Sequence, residues 1–436
     1  MVNIEARIEI NGQEQGEQIK VKNLVAYCCG LWWECSSELP LLRQTFSFLQ
    51  RLKHQRVVED FRKQLGRITE GSIGETSIAA GMTGLLQGLE ANLLLKEGLL
   101  LKFFQNQGYD QSTSDFLKMV EAFDPGMEFY DIFQAIRNVW IMNSIQILFG
   151  MEVRVTPSVF AYSMLYPYSD NYLDDESIPQ GEKLAFNQRF KSWLLGEGEI
   201  PDHPLEKRIY DLIKMIEGEY SRNSYPQVYE SLLAIHRGQE KSLTQQRGHL
   251  APYERDLLSI TFEKGGTSVL ADGYLVRGHL TYQESLFLFQ YGVLLQLIDD
   301  LQDCGADQRA GHMTLFSMIK GKIPLDTLVN KLWHLIPAIM ETMDLPGADG
   351  GNLRQVISQC CEIMILEAMA HHSKGFTKGY LKQMNRMTPL PKAYFKGLKG
   401  RFQRTIKPEA VKGLLKRWLQ ETQGNTQNES TKAPVN

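Results

Sequence analysis

Four aspartates in the apolar segment LLQLIDDLQDCGADQ are the residues best suited to chemistry. Asp299, Asp300, Asp303 and Asp307, with Gln296, project within about 100° of one another if one helix carries them all. Like charges at this spacing repel, and the segment has no Lys or Arg to offset them. Because the neighbours are mostly leucine and isoleucine, the segment predicts a cation-binding face. Two alternatives are open. One is that the helix ends at Gly305, before Asp307, and the other is that the aspartates form an ordinary solvated acidic face.

A second acidic segment, TPSVFAYSMLYPYSDNYLDDES, lies earlier in the chain. Pro157 stands at a favourable first helical position, and the pattern after it predicts a helix. Asp170 and Asp174 share one face of that helix, whereas Asp175 lies about 140° from Asp170 on the helical wheel. Pro167 is a potential kink. The segment therefore predicts a second acidic helix.

The type of these ligands favours magnesium over zinc. They are carboxylates without His or Cys at suitable spacing, and hard oxygen ligands that share an ion with water and phosphate are typical of Mg²⁺. Two acidic helix faces opposed across a cavity would leave coordination positions for a diphosphate. Neutralising the charge that develops on a diphosphate makes it a good leaving group.

Basic residues near two glycine-rich stretches are candidates for binding that diphosphate. Lys264 precedes Gly265-Gly266 inside an apolar helical pattern, which favours a local break where backbone groups face a ligand. Arg309 and His312 lie in GADQRAGHMT, which is suited as a loop to closing over an anion. A surface lysine and an ordinary connection between helices are the alternatives.

The rest of the chain predicts the helices that must position these residues. Apolar residues recur at helical spacing from about Val21 to Leu419, with breaks at 71–74, 124–126, 200–204 and 345–351. We therefore expect an all-α protein with a single domain over residues 21–420. Residues 1–20 read as a peripheral segment with a weak strand-and-turn signal, and residues 421–436 as a disordered polar tail.

Composition and charge limit the class of protein. The chain has 436 residues, of which 43% are hydrophobic and 22% charged, as is typical of a globular protein. A formal charge of −4 gives no overall basic field, so we expect no nucleic-acid partner. The six cysteines lack metal-ligand spacing, which favours buried free thiols. With no apolar stretch long enough to span a membrane, we expect a cytoplasmic protein.

The positive charge is concentrated near the C-terminus. Thirteen Lys or Arg and one acid, Glu409, lie between Lys374 and Arg417. A solvated helical face is one interpretation, and a patch that attracts anionic lipid or a phosphorylated substrate is the other. We expect peripheral membrane contact through this region.

Together the acidic motifs and the KGG segment resemble the class I terpenoid synthase family. The first motif is DNYLDD, from Asp170 to Asp175, and the second is DDLQD, from Asp299 to Asp303, which matches the family's DDxxD pattern. Over residues 130–320 the chain is most similar to the bacterial large-terpene synthases, relatives of tetraprenyl-curcumene synthase. The resemblance implies a helical bundle around a central active-site cavity.

The resemblance also implies a reaction and roles for single residues. The protein would ionise a long linear polyprenyl diphosphate with several Mg²⁺ ions, cyclise the carbocation and release diphosphate. Metal ligands would be Asp170, Asp174, Asp299 and Asp303, with Asp300 also catalytic. Lys264 and Arg309 would bind diphosphate. Aromatic side chains on or near the acidic helices would stabilise the carbocation, and the candidates are Phe160, Tyr162, Tyr166 and Tyr291.

Two departures from family patterns bear on the reaction. Residues 176–183 read ESIPQGEK where chain-elongating prenyltransferases carry paired arginines, and DDLQD replaces the NSE-type motif of plant and fungal sesquiterpene synthases. The alternatives are a prenyltransferase, acting by chain elongation or by squalene-like or phytoene-like coupling, and a helical binding protein with a vestigial site.

Overall fold

A computed structural model describes residues 20–41, 45–69, 107–175, 177–246, 256–342 and 350–405. Helices account for most of these residues, and no strand occurs among them, which confirms the all-α prediction. Apart from residue 20, the predicted N-terminal segment and the predicted tail lie outside the described residues.

The α-helices are numbered in chain order. Their bounds are α1 Val21–Glu34, α2 Phe48–Thr69, α3 Tyr109–Phe123, α4 Phe129–Leu148, α5 Pro157–Asp174, α6 Gln180–Leu195, α7 Pro204–Glu219, α8 Pro226–Ser242, α9 Leu257–Arg277, α10 Tyr282–Ala310, α11 Asp326–Met340, α12 Gly350–His371, α13 Lys378–Met384, α14 Lys392–Lys396 and α15 Leu398–Thr405. Two of the predicted breaks are confirmed: residues 124–126 separate α3 from α4, and 200–204 separate α6 from α7. The break at 71–74 and most of that at 345–351 lie outside the described residues.

The chain groups into two compact units, each made of three separate stretches. The first unit contains Met1–Leu41, Tyr172–Pro346 and Ser358–Thr377, as far as these are described. The second contains Leu42–Asn171, Gly347–Ile357 and Lys378–Asn436, with the same restriction. Interleaved stretches define no linear domain boundary, so a single domain over residues 21–420 stays a prediction.

Helices α9 and α10 form the centre of the first unit. Helices α8 and α1 pack against α9, and α11 packs against α10. The side chains at this centre are large, apolar and fully buried, among them Phe262, Phe289 and Leu297. At the end of α1, Lys331 of α11 donates a hydrogen bond of 2.6 Å to the Cys35 carbonyl, and so satisfies an acceptor left unpaired by the helix end.

The second unit packs α3, α4 and α5 around aromatic side chains. The ring of Phe160 in α5 lies 5.6 Å from that of Phe116 and 5.8 Å from that of Phe123, measured between centroids. The Tyr168 hydroxyl, also on α5, donates to the Asp124 carboxylate at 2.7 Å. In the same unit α2 packs against α15.

The cysteines and the hydropathy of the helices bear on two further predictions. All six cysteines are free, as predicted, and Cys28, Cys35, Cys304 and Cys361 are buried. The other two are partly exposed, so the prediction of buried thiols holds for four of the six. Within the described part of the chain, no helix has both the length and the apolarity needed to cross a membrane.

Candidate active site

Local sequence signals define both ends of the second acidic helix, α10. At its start Thr281 and Glu284 form a capping box, in which each side chain accepts a hydrogen bond from the other residue's backbone N–H. At its end Gly311 adopts a φ of 75°, a conformation that favours glycine. The helix does not end at Gly305, so Asp307 belongs to the same helix as the other aspartates.

The four aspartates of α10 differ in exposure. Asp299 and Asp303 are exposed, Asp307 is half-buried, and Asp300 is only 6% exposed. Helical geometry places Asp299, Asp303 and Asp307 in one row, because they are spaced by four residues. We call these three residues the carboxylate row. Asp300 is the buried neighbour of this row.

Glycines bring α9 and α10 into backbone contact just before the carboxylate row. A Cβ atom on Gly265 would overlap Gln296 and lie 2.7 Å from the Gly292 carbonyl oxygen, and a Cβ on Gly292 would overlap the Gly265 carbonyl. A Cβ on Gly266 would lie 2.5 Å from ring atoms of Phe289. Helix α9 continues unbroken through Gly265 and Gly266, so the predicted local break is wrong. The glycines serve helix packing, since no side chain fits between the two backbones.

Buried Asp300 is held by polar groups from both helices. Gln296 Nε2 donates to one of its carboxylate oxygens at 2.9 Å, and Thr261 Oγ1 of α9 lies 3.5 Å from the other. Gln245 donates in turn to Thr261 Oγ1 at 3.3 Å and to the Met313 carbonyl at 3.1 Å. This network connects Asp300 to the segment that follows α10.

Burial and like charge make these carboxylates resist ionisation. Burial, together with the nearby charges of Asp299 and Asp307, raises the pKa of Asp300 to about 7. Burial also raises the pKa of Asp307 to about 6, with added repulsion from Asp303 and Asp299. The positive charge of Lys264 on α9 acts in the opposite direction on both pKa values. The acidic face is therefore short of positive charge even with Lys264 beside it.

Lys264 and Arg309 differ in their relation to the carboxylate row. Lys264 is half-buried on α9, at a point where Gly238 of α8 packs against its backbone. Arg309 is exposed on the last turn of α10, so the prediction that it lies in a loop is wrong. It follows Asp307 by two residues, and side chains two apart on a helix point to opposite sides. His312 does follow the helix end, with Nδ1 3.8 Å from Asp307 Oδ1. Binding of diphosphate by Arg309 stays a prediction.

Two residues that sequence reasoning missed reinforce α10 at the level of the row. Lys320 Nζ lies 3.0 Å from His372 Nδ1, and His372 Nε2 lies 2.7 Å from the Gln302 carbonyl oxygen. Burial lowers the pKa of His372, which favours a neutral ring that accepts from Lys320 and donates to Gln302. A Cβ on Gly305 would lie 2.7 Å from Lys320 Nζ and 3.0 Å from His372 Cε1, so the glycine leaves room for this pair. Neither residue stands in a motif, and their contact joins distant parts of the chain.

The first acidic motif lies on α5, as predicted, and the helix continues through Pro167 to Asp174. Asp170 is half-buried and belongs to the second unit, whereas Asp174 belongs to the first. Next to Asp170 in the sequence, Asn171 donates a hydrogen bond from Nδ2 to the Asp131 carboxylate of α4 at 2.9 Å. Metal binding by Asp170 and Asp174 stays a prediction.

The aromatic residues predicted to line the substrate pocket are largely buried. Phe160, Tyr162 and Tyr291 are at most 8% exposed, and Tyr166 is half-buried. Phe160 packs in the aromatic core of the second unit, and Tyr291 stacks on Phe287 with 6.2 Å between ring centroids. Such contacts are typical of core residues, and contact of these rings with a substrate stays a prediction.

The donor set of the carboxylate row fits magnesium in its chemistry. Among the described residues, no group of three or more His, Cys, Asp or Glu side chains is arranged to hold a metal ion. Magnesium usually takes one or two carboxylates and completes its octahedral shell with water and phosphate, so a closed protein cage is not required. Exposed Asp299 and Asp303 can provide those carboxylates, and their negative charges add to burial in raising the pKa of Asp307.

Comparisons with known proteins assign no family to the chain. No protein-family model matches it, and no curated protein matches it. Its function is therefore inferred from its own residues and from the resemblance of its motifs.

Proposed function

We propose that this protein is a magnesium-dependent class I terpene synthase with the all-α fold of that family. It ionises a long linear polyprenyl diphosphate, of diterpene size or longer, and cyclises the resulting carbocation. The products are a cyclic hydrocarbon or alcohol and free diphosphate. The observation that supports this most directly is the carboxylate row of α10, which is short of positive charge and has Lys264 of α9 beside it.

Residues of α9 and of α10 have different roles in ionising the substrate. Asp299 and Asp303 would hold a magnesium ion, which would offset the negative charge that develops on the departing diphosphate. Asp307 adds negative charge beside them, and Lys264 contacts a diphosphate oxygen directly. The resemblance gives Asp170 and Asp174 of α5 the same metal-binding role.

The packing of the two helices supports that arrangement. Because Gly265 and Gly292 leave no side chain between the backbones, Lys264 has a fixed register relative to the carboxylate row. Asp300 bonds to Gln296 and Thr261, so its role is to position the helices. Preorganisation of this kind avoids rearrangement when the charge moves to the leaving group.

A carbocation survives only where water is excluded and the walls are apolar or electron-rich. The resemblance assigns those walls to Phe160, Tyr162, Tyr166 and Tyr291. Loss of a proton from the cyclised carbocation gives the hydrocarbon, whereas addition of one water molecule followed by loss of its proton gives the alcohol. In both cases the released diphosphate can accept the proton, so no separate general base is needed.

The direct test is turnover of a panel of allylic diphosphates of increasing chain length. Purified protein is incubated with each compound and Mg²⁺, free diphosphate is measured, and organic extracts are analysed for hydrocarbons and alcohols. We expect turnover of at least one long substrate by the wild type and by Asp202→Asn, which changes an exposed aspartate between α6 and α7. Asp303→Asn should release diphosphate roughly 100-fold more slowly or less. Failure of the wild type with every substrate would overturn the proposal.

The same assay separates cyclisation from chain elongation. Elongation needs isopentenyl diphosphate as a second substrate, bound by clustered basic residues. Arg51, Lys53 and Arg56 of α2 are candidates for such a cluster, but the Arg51 guanidinium donates to the Phe46 carbonyl at 2.9 and 3.1 Å. Lys53 leaves α2 on the opposite side from Arg51. We therefore expect one allylic diphosphate to suffice. A product that retains its diphosphate and forms only when isopentenyl diphosphate is added would show a prenyltransferase.

A further inference from the structure

A strongly basic surface lies in the second unit, formed by α2 and residues 378–405. Residues 378–405 contain eight Lys or Arg and no Asp or Glu. Helix α2 adds six Lys or Arg and only two acids, Glu59 and Asp60. We call these two segments the basic surface.

Hydrogen bonds join the two segments along their length. The Phe46 amide, just before α2, donates to the Arg386 carbonyl at 2.8 Å, and His54 Nδ1 lies 3.0 Å from the Pro389 carbonyl oxygen. Farther along α2, the Tyr394 hydroxyl donates to Glu59 at 2.8 Å. These contacts, distributed over both segments, hold the two segments side by side.

The acids of α2 do not cancel this charge. Glu59 accepts hydrogen bonds from Arg62 and Tyr394, and these bonds, led by that from Arg62, lower its pKa to about 2. The negative charge of Glu59 is therefore paired with Arg62 within the basic surface. Asp60 faces Lys63 at 3.9 Å. The other basic residues retain a large excess of positive charge.

Exposed apolar side chains accompany the charge at the start of α2. Phe48 is 66% exposed and Leu49 is 76% exposed. On a helical wheel both lie within about 140° of Lys53, Arg56 and Lys63, which are all exposed. A helix face with large apolar residues at one end and lysine and arginine along it is typical of helices that lie in a membrane interface.

We propose that the basic surface docks the protein on the face of an anionic lipid bilayer, with Phe48 and Leu49 inserted among the lipids. Charge complementarity with acidic headgroups brings the surface to the membrane, and the two apolar side chains replace water contact by contact with acyl chains. The phosphates of a nucleic acid would also pair with the basic residues. A nucleic acid, however, has no apolar layer into which Phe48 and Leu49 can insert. The inference is independent of the proposed enzymatic function.

Flotation with vesicles tests the proposal on the full-length protein. We expect binding to phosphatidylcholine vesicles that contain phosphatidylglycerol, little binding to pure phosphatidylcholine, and release at high salt. Neutralising Lys53→Gln and Arg56→Gln together should weaken binding roughly 30-fold, from about fivefold per charge near the surface. Phe48→Ser with Leu49→Ser should weaken binding to the same vesicles tenfold or more, by removing the apolar contact.

Matched variants in the first unit control for nonspecific effects. Ile200→Ser with Ile323→Ser removes two apolar side chains that are 62% and 56% exposed, and Arg237→Gln with Lys322→Gln removes two exposed charges. Both pairs should leave vesicle binding unchanged, and circular dichroism should show native helix content in every variant. Equal binding to neutral and anionic vesicles would overturn the proposal. Binding of RNA in preference to anionic vesicles at the same salt concentration would overturn it in favour of a nucleic-acid partner.

Discussion

Helices α5 and α10 each carry a cluster of aspartates, but the groups that surround the two clusters differ in kind. Near Asp170, α5 is anchored by ordinary hydrogen bonds between polar side chains, from Tyr168 to Asp124 and from Asn171 to Asp131. Helix α10 is instead pressed against the backbone of α9 through glycines. Its aspartates repel one another, and Lys264 only partly offsets that repulsion.

This difference shows that two similar aspartate motifs can differ in electrostatic environment, which the motif itself does not predict. Helical periodicity says which side chains share a face, and it treats α5 and α10 alike. The net charge near such a face also depends on residues of the neighbouring helix. For α10 that neighbour is α9, which contributes Lys264 and packs closely against the backbone of α10. We therefore expect substitutions in the two helices to have similar effects on activity and different effects on stability.

The largest effect is expected from removing one metal-binding carboxylate. Asp303→Asn should lower kcat/KM roughly 100-fold or more, because an electrostatic contact to the leaving group is lost. Without metal its Tm should be unchanged or higher, since repulsion within the carboxylate row is relieved. Asp170→Asn should lose as much activity without the gain in Tm. Kinetics over a Mg²⁺ titration and thermal melting in EDTA measure both effects, and near-full activity of Asp303→Asn at low Mg²⁺ would remove the metal assignment.

A second difference between the helices is the backbone contact of α10, which one methyl group should disrupt. Gly265→Ala places a Cβ against Gln296 and the Gly292 carbonyl, so we expect a loss of about 1–3 kcal/mol in the free energy of unfolding. Gly218→Ala in α7 is the matched control, because no atom lies within 4 Å of the added Cβ. There alanine should stabilise the helix by up to about 1 kcal/mol. Urea denaturation of both variants measures the contrast, and equal stabilities would contradict the close packing of α9 and α10.

These glycines also show where prediction from sequence succeeds and where it stops. The helical class, the start of α5 at Pro157 and the common face of Asp299, Asp300 and Asp303 follow from periodicity. The pair Gly265-Gly266 predicts a local break, because glycines weaken a helix. Only the position of α10 in the structure shows that Gly265 and Gly266 allow the backbones of α9 and α10 to approach closely.

Other features of the site depend on contacts that no local pattern carries. Asp307 was left undecided because Gly305 looked like a helix end, whereas Gly311 takes that role. The contact of Lys320 with His372 joins residues 52 positions apart. Helical spacing predicted that Gln296 shares the acidic face, but the burial of Asp300 beside it depends on packing against Thr261 of α9.

Burial of Asp300 predicts a pH dependence of the protein's stability. The folded pKa of Asp300, about 7, lies above its ordinary value of 3.8, so the folded state holds an extra proton between these values. Stability therefore falls as pH rises through this range and levels off above pH 7 or so. In EDTA, Asp300→Asn should exceed the wild type in free energy of unfolding by an amount that grows as pH rises from about 4 to about 7 and then stays constant. Groups common to both proteins cancel in this difference, and an equal pH dependence for the two proteins would place Asp300 in contact with water.

The smallest effect, and the sharpest test of how α9 modifies α10, is expected from Lys264. Lys264→Gln removes the one positive charge that lowers the pKa of both Asp300 and Asp307, so both should be protonated more readily. It also removes a contact to the departing diphosphate, and we expect kcat/KM to fall about tenfold. Lys264→Arg keeps the charge and should recover part of the activity. Lys207→Gln is the matched control, because Lys207 and Asp211 form an exposed pair on α7 and an exposed pair contributes little. If Lys264→Gln and Lys207→Gln have the same kinetics and the same pH profile of stability, Lys264 is a surface residue and α10 owes its properties to its own aspartates alone.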